Sequence, residues 1–110
     1  MNVYVPNAVT LSPDQENSIR KDLKTINPSY YVREAWDSPS GFFGRYVENV
    51  QPQDIKPVKA AIETNGALSW CEATDGWETQ KTIAQQAKTQ ITAWSLAVDA
   101  RWRAERNTRA

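Results

Sequence analysis

A chain of 110 residues is long enough for one hydrophobic core and too short for two, so a single domain over 1–110 is expected. Thirteen Lys and Arg balance thirteen Asp and Glu, which speaks against a dedicated duplex-DNA binder and against a polybasic membrane anchor. The absence of histidine and the single cysteine, Cys71, exclude imidazole metal sites, ordinary His-based acid–base chemistry and an internal disulfide framework. No signal-peptide pattern and no long apolar run is present, so a cytoplasmic protein without membrane contact is expected.

In chain order, Asn2 to Val5 alternates β-branched and aromatic residues and predicts a short strand closed by Pro6-Asn7. Ser12-Pro13-Asp14-Gln15 opens a helix, with Ser12 as N-cap, Pro13 at the first helical position and Gln15 completing a capping box. Ile19, Leu23 and Ile26 share one face, and Asn27-Pro28 stops the helix. Tyr30 to Trp36 reads as a strand, Asp37 to Gly41 as a turn, and Phe42 to Val50 as the returning strand of a hairpin. A second helix is expected over Asp54 to Thr64, with Pro57 tolerable only in its first turn and Asn65-Gly66 ending it. Ala67 to Glu72 is expected to be a fourth strand.

The last third predicts one long helix, Asp75 to Arg106, with Asp75 as N-cap and Glu78 completing a capping box. Ile83, Ala87, Ile91, Trp94, Val98 and Trp102 fall within an arc of about 100°, the width of a core-facing stripe. At 1.5 Å per residue the helix would be roughly 45 Å long, more than the ~35 Å diameter of a compact domain of this size. It must either overhang its domain or break.

The order β-α-β-β-α-β followed by a helix is that of an α+β, ferredoxin-like fold: a four-stranded antiparallel sheet over 2–73, with an added long C-terminal helix at 75–106. Alternation directs Val3, Val5, Val32, Trp36, Phe43, Val47, Leu68 and Trp70 toward the helices. Tyr4, Tyr31, Arg33, Phe42 and Tyr46 then share the opposite face. Arg45 falls on the helix side in this scheme, which a bulge near Gly44 would relieve.

Val3-Tyr4-Val5-Pro6-Asn7-Ala8 resembles the first-strand signature of the RNA-recognition motif, and Ser40 to Val47 meets the third-strand signature of that family at Gly41 and Phe42. Ser40, Phe43 and Gly44 depart from it. Over residues 2–73 the resemblance implies a ferredoxin-like fold, with Tyr4 and Phe42 as base-stacking platforms for single-stranded nucleic acid. The alternative is that the long helix covers the aromatic face, laying Ile83, Ile91, Trp94 and Val98 over Tyr4, Tyr31, Phe42 and Tyr46. In a third arrangement the helix leaves the domain and pairs with another subunit.

No catalytic signature is present. Cys71 lacks a His partner. Glu34, Asp37, Glu48 and Glu72 lie on neighbouring expected strands, but thirteen acids make such pairs common. The chain is therefore expected to be a non-enzymatic protein-binding module, an adaptor, inhibitor or assembly factor, needing no cofactor or metal. It would act through its C-terminal helix on a protein partner or by self-association. Such a chain is compatible with a viral or mobile-element accessory protein. The expected contact residues are Trp94, Leu96, Arg101, Trp102, Arg103 and Arg106, because arginine beside tryptophan is the composition of an interface hot spot. The alternative function, nucleic-acid binding on the sheet, would use Tyr4, Tyr31, Arg33, Phe42 and Tyr46.

Overall fold

The computed structural model describes residues 1–34 and 45–108, with side chains as far as residue 104. Three short strands, β1 (Val3–Tyr4), β2 (Val32–Glu34) and β3 (Arg45–Val47), form an antiparallel sheet in the order β1-β3-β2. Helices α1 (Pro13–Ile26) and α2 (Ile55–Thr64) pack against each other. Single 3-10 turns lie at Ala8–Thr10 and Pro52–Asp54. A one-turn helix, α3 (Glu72–Asp75), precedes the long α4 (Gln80–Thr108).

Helix α1 starts as its sequence dictates. The Ser12 hydroxyl accepts from the Gln15 amide, the Gln15 side chain accepts from the Ser12 amide, and Pro13 occupies the first turn. Gln15 also donates to the Asn65 carbonyl at 3.0 Å, tying the start of α1 to the end of α2. The chain leaves α2 through Gly66 at φ 86°, and a Cβ there would sit 2.9 Å from Gln15 Nε2. The backbone angle favours glycine here, whereas the approach alone would ask only the mobile end of the Gln15 side chain to shift.

Val3 pairs with Val47 and Val47 with Val32, so the three share the helix-facing side. Val3, Val5, Ile19, Leu23, Val47, Val58 and Ile62 are buried there in one core. Arg45 also points to this side, and the bulge expected near Gly44 lies outside the described residues. Its guanidinium reaches Glu16 at 3.2 Å, Glu34 at 3.2 Å and the Ala8 carbonyl at 3.3 Å, so the stem is covered while the charge is paired.

The expected four-stranded ferredoxin-like sheet is not seen; the fold is α+β, with three strands among the described residues. In place of a fourth strand, Trp70 alone bridges Tyr4 through two backbone hydrogen bonds of 2.8 and 3.0 Å. The donors on either side of Trp70 are committed elsewhere. The Leu68 N–H goes to Asn7 Oδ1, the Ala67 N–H to the Ile62 carbonyl, and the Cys71 N–H to Asp75 Oδ2. A ladder cannot extend through residues whose amides are already satisfied. Trp70 also lies on the Tyr4 face rather than the helix side, because paired residues share a face. Of the expected strands over Tyr30–Trp36 and Phe42–Val50, the described residues pair over β2 and β3, and residues 35–44, including Trp36, Phe42 and Phe43, lie outside the described residues.

The expected continuous helix from Asp75 is also corrected. Gly76, at φ 66°, ends α3, and α4 begins only at Gln80. Asp75 does not cap α4. Its carboxylate lies 2.5 Å from Lys59 Nζ and accepts the Cys71 N–H. Lys59 in turn donates to the Ser69 hydroxyl at 3.0 Å. This half-buried cluster pins the segment 69–75 to α2.

Helix α4 has 29 residues, about 43 Å at 1.5 Å per residue. Its first half packs against the Ala8–Thr10 turn, with Ala87 buried and Ile83, Ala84 and Ile91 half-buried. From Thr92 to Ala104 every residue is exposed. The molecule accordingly measures 56 × 30 × 25 Å. The helix both follows a break and overhangs its domain.

Candidate functional site

Two surfaces gather the residues singled out by sequence. On the sheet face the register aligns Arg33 with Tyr46 and Tyr46 with Tyr4, and the isolated bridge aligns Tyr4 with Trp70. Ring centroids are 5.8 Å apart for Tyr46–Tyr4, 5.8 Å for Tyr4–Trp70 and 5.0 Å for Trp70–Trp77. These are tilted aromatic contacts within the favourable range. Arg33 lies 4.6 Å above the Tyr31 ring. Tyr4, Tyr31, Arg33 and Tyr46 are thus brought to one face as expected, while Phe42 lies outside the described residues.

The charged side chains described on this face have partners within it. Arg33 is paired with Glu48 at 2.8 Å, and Glu72 accepts a hydrogen bond from Trp77 at the far end of the row. Trp70 is buried, so its ring is closed to a base, and Tyr4 and Tyr46 are only half-exposed. Affinity for nucleic acid comes mainly from neutralising phosphates.

The second surface is the outer half of α4. Trp94 (40 % exposed), Leu96 (65 %), Val98 (46 %) and Trp102 (56 %) stand among thirteen consecutive exposed residues. The expected sheet cover does not form: Trp94 and Val98 are exposed on the helix, and Tyr31 is exposed on the sheet. On an ideal helix Trp94, Val98 and Trp102 follow one another at four-residue spacing within about 80°. Arg101 borders this stripe, whereas Leu96 and Arg103 fall on the far side. Arg103 is held by Asp99 at 3.3 Å, one turn earlier. The side chain of Arg106 lies outside the described residues.

Val98 continues the stripe of Ile83, Ala87 and Ile91, which the sequence leaves free to cover the sheet or to meet another subunit. Periodicity reports which residues share a face but not where the domain beneath that face ends. It also passed over Asn7 and Gln90, which seat the helix, and Trp77, which is 55 % exposed.

Elsewhere the polar groups satisfy one another. A cleft of about 110 Å³ between α1 and the sheet is walled by Glu16, Glu34 and Arg45, which pair among themselves over a floor that includes Val5 and Ile19. The Ser69 hydroxyl stands 3.0 Å from Lys59, but Lys59 is ion-paired with Asp75 and Ser69 donates to Glu63. Among the described residues, no group of three His, Cys, Asp or Glu is placed to hold a metal ion, and no helix is long and apolar enough to cross a membrane. No protein-family model matches the chain, no curated protein matches it in sequence, and no solved structure matches it.

Proposed function

We propose that this chain is a non-catalytic protein-binding module that presents the outer half of α4 to a protein, as an adaptor, inhibitor or assembly factor would. One observation carries the reading: a helix runs past its own domain for thirteen exposed residues that include two tryptophans, a leucine and a valine. Exposed tryptophans on a helix face, bordered by arginine, have the make-up of anchors that insert into a partner's groove. A helix needed only for solubility would be polar all round.

The test begins with removal of residues 99–110. Among its described side chains every one is exposed, so the shortened chain should unfold in urea within about 1 kcal/mol of the full chain. In the full chain, a photo-crosslinker at position 98 should form adducts that an excess of synthetic peptide 88–108 competes away and a scrambled peptide does not. Unfolding on truncation, or adducts indifferent to the peptide, would overturn the reading.

A further inference from the structure

The stripe on the outer half of α4 reads the same in both directions. Trp94 and Trp102 each stand four residues from Val98, about 6 Å to either side along the axis. We propose that this face binds a second copy of the same chain, the two α4 helices crossing antiparallel at a two-fold axis through Val98. Trp94 of each copy then packs against Trp102 of the other. The proposal rests on the protein-binding reading above and names the partner.

Self-complementarity of this kind is what a two-fold contact demands, since one patch must serve as both surfaces. Trp94, Val98 and Trp102 form a ridge at four-residue spacing, and two such ridges interdigitate at a crossing angle of about 50°. The bordering positions Ser95 and Ala97 are small and leave grooves to receive the opposing ridge. The crossing angle also matters for the domains. Ile91, the last residue seated on the body, is only about 10 Å along the axis from Val98. Parallel alignment of the helices would press the end of each against the body of the other, and an oblique crossing carries it clear.

The charges permit the arrangement. Asp99 is the only acidic side chain from Thr92 to Ala104, and Arg103 of the same helix holds it at 3.3 Å. The axis therefore brings no bare carboxylates together, and Arg101 of each copy stands at the border of the stripe. The area sets the strength. A tryptophan presents about 150–250 Å², so at the observed exposures the three stripe residues offer roughly 250 Å² per copy. Two copies supply about 500 Å², and the flanking turns must double this to reach the ~1,000 Å² at which specific interfaces begin. A weak, reversible dimer is the expected product, with a dissociation constant on the order of micromolar.

The experiment is sedimentation equilibrium of the full chain from low to high micromolar concentration, with disulfide trapping alongside. The expected result is a monomer–dimer equilibrium that the Trp94→Ala and Trp102→Ala variants each weaken at least tenfold. Val98→Cys should oxidise to a linked dimer, because the two-fold places its Cβ beside its own copy. Thr92→Cys, turned about 120° from Val98 and about 9 Å from it along the helix, should not, and the buried Cys71 supplies no background. Both tryptophans are exposed, and unchanged urea midpoints in the variants would separate loss of association from loss of fold. A chain that stays monomeric, a dimer indifferent to both substitutions, or equal trapping at 92 and 98 would overturn the second-copy assignment. Peptide-competed adducts to another protein would then leave the protein-binding reading standing alone.

Discussion

Asn7 and Gln90, 83 residues apart in sequence, are joined by a 2.6 Å hydrogen bond from the Asn7 carboxamide to the Gln90 side chain. Asn7 is 1 % exposed, and its Oδ1 accepts the Leu68 N–H at 2.8 Å. One side chain therefore seats the long helix and also occupies the amide that would otherwise extend a fourth strand. Asn7→Ala should cost about 1–3 kcal/mol, because it orphans a buried N–H as well as the Gln90 partner. Gln90→Ala should cost less, about 0.5–1.5 kcal/mol, since it removes only one bond. A double-mutant cycle in urea should show coupling between the two; strictly additive values would mean that the contact does not hold the helix.

The Lys59–Asp75 pair predicts an asymmetric response to substitution. Lys59 is 14 % exposed at its side chain and Asp75 23 %, so the pair is shielded without being fully buried. Asp75→Ala leaves both Lys59 and the Cys71 N–H without this acceptor and should cost about 2–4 kcal/mol. Lys59→Met removes the charge while keeping the stem, and leaves Asp75 still accepting from Cys71. It should cost less than Asp75→Ala. The reverse order in urea midpoints would show that the lysine, not the carboxylate, is the centre of the cluster.

Tyr30 predicts a loss of stability at alkaline pH. Its hydroxyl donates to Asp54 at 2.7 Å and accepts the Gln51 N–H at 2.9 Å, inside the core. Burial is the main cause that raises its pKa above the ordinary value, with the hydrogen bond to Asp54 and the charge of that carboxylate adding to it. The folded state therefore holds the phenolic proton after the unfolded chain has released it. This stabilisation is complete below the unfolded pKa of about 10 and is lost as pH rises through the folded value. Stability measured from pH 8 upward should fall from about 10 onward, and Tyr30→Phe should remove that phase while costing about 1–2 kcal/mol at neutral pH. An alkaline limb unchanged in Tyr30→Phe would place its origin elsewhere.

On the aromatic sheet face, Tyr4→Ala is expected to act on stability. Tyr4 bridges the Tyr46 and Trp70 rings, and its loss should cost about 2–4 kcal/mol. Labelled random single-stranded RNA, titrated at low salt, should show no saturable binding at tens of micromolar. Tight, salt-sensitive binding abolished by Tyr46→Ala would instead make this face the functional one.

Local sequence determined what local chemistry can determine. Ser12, Pro13 and Gln15 fix the start of α1, because a capping box needs only its own four residues. Pro57 in the first turn of α2 and Gly66 just past its end fix that helix in the same way. The helix-facing side of the sheet was legible in Val3, Val5, Val32 and Val47, since alternation alone assigns it. The tryptophans and arginines of α4 were likewise visible as interface material. Tertiary structure decided the rest. Ala67 to Cys71 has the composition of a strand, yet its amides are taken by Asn7 and Asp75, residues whose proximity no local pattern records. The stripe from Ile83 to Trp102 is continuous in sequence, yet it changes from packed to exposed after Ile91. That boundary is set by the reach of the Ala8–Thr10 turn and the Asn7–Gln90 bond. Hydrophobic periodicity states which side of a helix seeks cover, and only the packed domain decides how much of that side it covers.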